Sequence, residues 1–281
     1  MSFDIGRVFS NTFAMVKERW GAMLGLWATF FGALILYAMV FGGLLGGSAL
    51  AMGAALGGSL DSPAALGGMG VGFILMMVVF YIGYIAIALG QQGAMIAMAS
   101  PIQTVSFGEA FTLGLKGGLS FLGVIVLLMI AYVVVLLLGA GLAAVLGEAG
   151  AVILAILILP VAIYLACRMS VLVPVIVVDR VFNPIKAITQ TWATTRGKVL
   201  GILLIYIGFA VLALIAIAVP FALLSGMMGA GAEPGILTIV IGFLLMLAII
   251  VGFTLVSTSM VASLHAEISD THVEDLSETF E

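Results

Sequence analysis

Arg168 is the residue of this sequence whose chemistry most needs an explanation, because it lies inside a long apolar run. Asp179 follows eleven positions later, about 16 Å along a helix, and we expect it to lie near Arg168. An arginine in apolar surroundings needs an acid, a carbonyl oxygen or a water-filled cleft beside it. One interpretation is a site for a lipid phosphate or an anionic substrate. The favoured one is a structural arginine, paired with helix-end carbonyls, with Glu267 or with the hydroxyls of residues 257–259.

Several other polar residues interrupt apolar segments and complete the set of candidate site residues. Gln91 and Gln92 are predicted at a depth comparable to that of Arg168, where glutamines more often bond neighbouring helices than bind ligands. The predicted lipid- or ligand-binding set is Arg168, Asp179, Gln91, Gln92 and Ser257. The predicted anchors at the interface between membrane and water are Trp20, Trp192, Arg196 and Lys198.

The sequence contains no catalytic or metal-binding motif that we recognise. It lacks a glycine-rich phosphate loop before Lys-Ser/Thr, a His-Glu-x-x-His motif and an activated-serine motif. His265 and His272 have no metal-ligating neighbour at helical spacing, and Cys167 is the single cysteine. We therefore predict a protein without enzymatic activity, metal or cofactor, and without a nucleic-acid partner.

The composition identifies the medium in which these residues must be positioned. Of the 281 residues, 64% are hydrophobic and 8% are charged, and the mean hydropathy is +1.38. A soluble domain carries about a quarter of its residues as charges, so the lipid bilayer must be the main solvent. The apolar runs are long and continuous, which favours membrane-spanning helices over the strands of a β-barrel. The predicted class is all-α, polytopic membrane protein.

Windows of about 20 residues, the length that spans a bilayer, predict six transmembrane helices within a membrane domain of residues 1–265. The fourth helix is interrupted by Pro160 and Pro174. The predicted spans are 21–41, 71–98, 120–145, 151–179, 199–224 and 236–264.

The basic residues predict the orientation of these spans. All nine Lys and Arg residues fall on one side of the six-span arrangement, whereas the opposite loops, around Asp61, Glu148 and Glu233, contain none. Cytoplasmic loops carry an excess of basic residues. We therefore expect both termini to lie in the cytoplasm. Residues 266–281 carry only acidic charges, which predicts a disordered cytoplasmic tail, with a docking role as the alternative.

Three amphipathic segments on the cytoplasmic side resemble one another. They begin at Asp4, Ser106 and Asn183, which are all good N-cap residues. The resemblance predicts three repeated units, each made of a cytoplasmic amphipathic helix and a transmembrane hairpin. The alternative is that any hairpin series of this orientation needs a basic amphipathic segment before each hairpin, and both interpretations stay open. The predicted units are 2–100, 104–178 and 181–265.

The stretch from Arg168 to Gly201 resembles known bacterial membrane families. The stretch begins with an arginine, then an apolar run with a proline, and then an acid. An amphipathic helix with Ala187 and Trp192 follows, and Arg196-Gly197 comes after it. This order is similar to the glycerophosphoryl diester phosphodiesterase membrane domain and the YciC-like family. The resemblance implies the fold and a bacterial inner-membrane location. It implies no activity, because that family name comes from fusions to a soluble phosphodiesterase domain whose metal ligands have no counterpart here.

Together these features favour a non-catalytic protein that binds, organises or moves lipids on the cytoplasmic side of the membrane. One alternative is a small-molecule transporter or channel, with Arg168, Gln91 and the hydroxyls of the sixth span lining its path. Another is an assembly or scaffold factor that uses the acidic tail. The expected partners are membrane lipids, with a second copy of the chain or another membrane protein as open alternatives.

The predicted orientation can be tested with topology reporters. Alkaline phosphatase, which is active only outside the cytoplasm, should be active when fused after residue 61 or residue 233. It should be inactive when fused after residue 104 or residue 182. Activity at either of the latter two positions would show that the basic segments are not cytoplasmic.

Overall fold

The computed structural model describes residues 3–55, 71–228 and 236–280, and within these ranges the chain is helical without a β-strand. The loops that contain Asp61 and Glu233, and the side chain of Glu148, lie outside the described part. The helices are α1 (Ile5–Ala55), α2 (Val71–Ala99), α3 (Phe107–Met169), α4 (Leu172–Val177), α5 (Pro184–Thr194), α6 (Val199–Met228) and α7 (Ile236–Phe280).

Within the described part of the chain, six segments are long and apolar enough to cross a membrane, which confirms the predicted all-α, multi-pass class. Much of their surface consists of exposed aliphatic side chains such as Leu36 and Leu214, as expected for helices surrounded by lipid. The candidate spans are Ile5–Gly47, Phe73–Ala99, Phe107–Gly141, Ile156–Val177, Val199–Ala218 and Ile239–Ser269.

The three predicted N-caps all cap a helix. The Asp4 carboxylate accepts from the backbone N–H of Gly6 at 2.8 Å, and Ser106 Oγ accepts from Glu109 N–H at 3.3 Å. Asn183 Oδ1 accepts from the N–H groups of residues 185 and 186, ahead of Pro184 at the first helical position. Each cap satisfies donors that have no partner inside their own helix.

Two of the predicted amphipathic helices are not separate elements, and the sequence prediction is wrong on this point. The segments that begin at Asp4 and Ser106 continue into the spans that follow, as parts of the 51-residue α1 and of α3. No proline separates them from those spans, and glycine in an apolar helix does not by itself end it. Only α5 stands alone, because Gly197 has φ +76° and reverses the chain before α6. The threefold repeat stays a prediction.

Gly147 divides α3 into two helical segments. Its φ of +63° and ψ of −154° are non-helical, and only glycine adopts such a conformation readily. The break falls beside Glu148, where the sequence predicts a turn between the third and fourth spans. The second segment ends at Met169, and Pro174 lies in the first turn of α4, where its missing N–H costs no hydrogen bond.

The buried core lies at one end of the helices. Buried side chains come from the start of α1, the end of α2, the start of α3, α4, and the end of α7, represented by Met23, Met95, Phe121, Ile176 and Leu264. Towards the other end the same helices carry mostly exposed apolar side chains. Side-chain packing therefore fixes the helices at the end where the sequence concentrates its cations.

Glycines allow α2 and α3 to approach each other closely. A Cβ atom on Gly114 would collide with the backbone carbonyl oxygen of Gly90, and one on Gly118 would lie 2.6 Å from the carbonyl oxygen of Ala86. Both neighbours are backbone atoms, which cannot move aside without displacing the helix. Small residues at such crossings are typical of helix pairs in membranes.

We expect Gly114→Ala to lower the free energy of unfolding by about 1–3 kcal/mol, because overpacking forces the two backbones apart. Gly108→Ala on the same helix is the matched control, since a Cβ there meets no atom within 4 Å. The measurement is the thermal unfolding midpoint in detergent. Equal midpoints for the two variants would contradict the close contact between α2 and α3.

Candidate functional site

Arg168 is buried and hydrogen-bonded to the end of α5. Its side chain is 6% exposed, and Nη1 donates to the carbonyl oxygen of Trp192 at 2.7 Å and to Thr195 Oγ1 at 3.2 Å. Nε donates to the Tyr164 hydroxyl at 3.1 Å. A cation at the C-terminal end of a helix also interacts favourably with the helix dipole.

Two aromatic rings complete the surroundings of this guanidinium group. Its central carbon lies 4.4 Å from the centre of the Trp192 ring and 5.6 Å from that of Tyr164. The two rings meet edge to face, with centroids 6.0 Å apart. The bond from Arg168 to the Trp192 carbonyl oxygen is the pairing with a helix-end carbonyl that the sequence analysis favours. The anion-binding interpretation of Arg168 stays a prediction.

Asp179 belongs to a different polar cluster from Arg168. Its Oδ1 lies 2.9 Å from His265 Nε2, and its Oδ2 accepts from Gln190 Nε2 at 2.8 Å. His265 is 0% exposed, and its Nδ1 is buried without a hydrogen-bond partner in the described part of the chain. The cluster joins α7, the segment before α5, and α5 itself. Sequence reasoning missed it, because His265 and Asp179 lie 86 residues apart and no spacing links them.

The segment that carries Asp179 has an unusual backbone conformation. Arg180 has φ +58°, a left-handed conformation that costs free energy for a residue with a Cβ atom. Its guanidinium group lies 2.6 Å from the Glu109 carboxylate at the start of α3. Both side chains are exposed, so this ion pair adds little stability. It holds the short connection between α4 and α5 against α3.

Two of the remaining arginines and one lysine bind groups on other helices. Arg19 Nη1 donates to the carbonyl oxygen of Met98 at 2.7 Å, at the end of α2. Lys198 Nζ donates to the carbonyl oxygen of Ile268 at 3.0 Å. Arg7 lies 3.4 Å from the Glu267 carboxylate. By contrast, the side chains of four other basic residues are exposed to the surroundings: Lys17, Lys116, Lys186 and Arg196.

The other predicted site residues do not join Arg168. Gln91 is half-buried and Gln92 is exposed, and Ser257 donates to the carbonyl oxygen of Thr254 within its own helix. No hydrogen bond among the described residues links these three to Arg168. Of the predicted anchors, Trp20 is exposed, Trp192 stacks on Arg168, Arg196 is exposed and Lys198 binds the α7 backbone.

A cleft lies between α1, α6 and α7. Its volume is about 350 Å³, it is partly open, and its surface is almost entirely apolar. Two further clefts, beside Cys167 and beside Val133, are also apolar. The first cleft is lined by Phe13, Phe209, Leu212, Ala213, Ala216, Ile217, Ile249, Gly252, Phe253 and Val256.

Comparison of the chain with protein-family models, with curated proteins and with solved structures finds no match. The functional argument therefore depends on the geometry of the chain itself.

We expect Arg168→Lys to lower the free energy of unfolding by about 2 kcal/mol, because an ammonium group cannot replace a guanidinium group that bonds three partners and stacks on two rings. Arg196→Lys, on an exposed arginine in the same region, is the matched control and should leave stability unchanged. Thermal unfolding in detergent measures both. An Arg168→Lys variant as stable as the control would contradict the structural role of the guanidinium group.

Proposed function

We propose that this chain is a multi-pass protein of the bacterial inner membrane, with both termini in the cytoplasm, that binds membrane lipids on the cytoplasmic side. The observation that supports this function best is the apolar cleft between α1, α6 and α7. The placement of the termini is supported by the nine basic residues on one side of the spans. The inner-membrane location is proposed from the resemblance of residues 168–201 to bacterial membrane families.

The dimensions and chemistry of the cleft suit one lipid acyl chain. Its walls extend from Phe209 to Ile217 on α6 and from Ile249 to Val256 on α7, about 10–12 Å along each helix. Aromatic and aliphatic side chains line it, and Gly252 leaves room in its wall, since a Cβ there meets no atom within 4 Å. A polar solute would find few hydrogen-bond partners on such a surface.

Shape is the main contribution that the cleft itself makes to binding. A lipid chain that enters from the bilayer gains no hydrophobic free energy, because the surrounding chains are as apolar as the cleft. Dispersion contacts with the walls must therefore distinguish a bound chain from a free one.

The transporter alternative receives less support from the same residues. Its predicted path combines Arg168 and Gln91 with hydroxyl groups of the sixth span. Arg168 instead bonds to α5, and Ser257 bonds within α7. Lipid binding requires no polar path, so it accounts for the observed contacts better.

Filling the cleft should remove the bound chain. We expect Gly252→Leu, or Ala216→Phe on the opposite wall, to reduce the lipid retained by the purified protein at least several-fold, because either side chain occupies volume that an acyl chain needs. Native mass spectrometry after mild delipidation measures the retained lipid.

Gly32→Leu is the matched control for this experiment. Gly32 is likewise a helical glycine with no atom within 4 Å of an added Cβ, and it does not line the cleft. The control should retain lipid like the unaltered chain. Folded Gly252→Leu and Ala216→Phe variants that retain as much lipid as the control would refute the cleft as the binding site.

A further inference from the structure

We infer that the turn between α5 and α6 binds the phosphate of an anionic phospholipid through Arg196. This site is separate from the apolar cleft, so the inference goes beyond the proposed acyl-chain site and stands or falls without it. It depends on three observations: the depth of the turn, the exposed side chains on either side of Arg196, and the balance of charge around it.

The turn after α5 lies at the level where two spans end. The candidate span Val199–Ala218 begins three residues after Arg196. Lys198, in the same turn, donates to the carbonyl oxygen of Ile268 at 3.0 Å, next to the end of the candidate span Ile239–Ser269. Phospholipid headgroups lie where the apolar part of a span ends. This turn therefore lies at headgroup depth.

Exposed apolar side chains precede and follow Arg196. Trp192, four positions before it, is 38% exposed, and Leu200, four positions after it, is 76% exposed. Tryptophan is enriched at the headgroup level of membrane proteins, and an exposed leucine at the start of a span faces acyl chains. Arg196 itself is exposed between them. A long arginine side chain at such a boundary extends its charged end towards the headgroups.

The charge around Arg196 is positive. Arg168 is bonded to Thr195, the residue before Arg196, and its acceptors are one carbonyl oxygen and two hydroxyl groups, all of them neutral. Neither arginine forms an ion pair with another described residue. The C-terminal end of α5 contributes about half a negative elementary charge, which offsets only part of the two positive charges.

The described carboxylates that contact α5 or the connection before it have other partners. Asp179 bonds to Gln190 of α5 and to His265 of α7, and Glu109 pairs with Arg180. An anion from outside the chain is therefore the group that fits beside Arg196. A guanidinium group suits phosphate well, because its planar N–H donors can bind two phosphate oxygens at once.

The test compares two lipids with identical acyl chains, phosphatidylglycerol and phosphatidylcholine, in equimolar nanodiscs that hold the whole chain. Native mass spectrometry after mild delipidation gives the ratio of the two lipids retained. We expect the unaltered protein to prefer phosphatidylglycerol, and Arg196→Gln to reduce that preference about five-fold, the effect of one basic residue near an anionic lipid surface. High salt should weaken the preference of the unaltered protein, because salt screens an exposed charge.

Two variants serve as matched controls. Arg196→Lys keeps the positive charge and should keep most of the preference, although an ammonium group cannot hold two phosphate oxygens in the same way. Lys17→Gln removes one positive charge from an exposed residue of α1 and should leave the preference unchanged. Both positions are exposed, so the thermal unfolding midpoint of each variant should match that of the unaltered protein.

Three results would each overturn the inference. The first is an unaltered protein without a preference, or with a preference that high salt does not weaken, which needs no variant to measure. The second is an Arg196→Gln variant that keeps the full preference. The third is a Lys17→Gln variant that loses as much of the preference as Arg196→Gln does.

The cleft and this site fail in different ways. If Gly252→Leu lowers retention of both lipids while Arg196→Gln leaves their ratio unchanged, the cleft stands and the role of Arg196 falls. If Arg196→Gln changes the ratio while Gly252→Leu retains as much lipid as the unaltered chain, the headgroup site stands and the cleft falls.

Discussion

Carbonyl groups at helix ends and charges in apolar surroundings both need partners, and this chain satisfies each with the other. Arg168 donates to the end of α5, Arg19 to the end of α2 and Lys198 to the backbone of α7. The bonds from Arg168 and Arg19 each give a partner to a carbonyl oxygen at a helix end and anchor a cation. Because these bonds tie together helices distant in sequence, the buried core gathers at the same end of the bundle. Basic residues thus hold helices of this chain together.

Packing that is concentrated at one end leaves the helices less constrained along the rest of their length. Between α6 and α7 this leaves an apolar cleft next to Phe13 of α1. In water such a surface would be costly, whereas in a bilayer an acyl chain can fill it at little cost.

Local signals in the sequence predict the local features correctly. Hydropathy predicts the six spans, the N-caps at residues 4, 106 and 183 follow from residue type, and the turn beside Glu148 coincides with Gly147. Features that depend on tertiary contacts escape prediction. The pairing of Asp179 with His265 joins elements 86 residues apart. The cleft is likewise a gap between helices, for which single residues provide no signal.

The most direct measurement is a cryo-electron microscopy structure of the protein in nanodiscs that contain phosphatidylglycerol. An acyl chain bound as proposed appears as elongated density between Phe13, Phe209 and Gly252. Closure of the cleft by direct contact between α6 and α7, or water-filled density in place of a chain, would contradict lipid binding at this site.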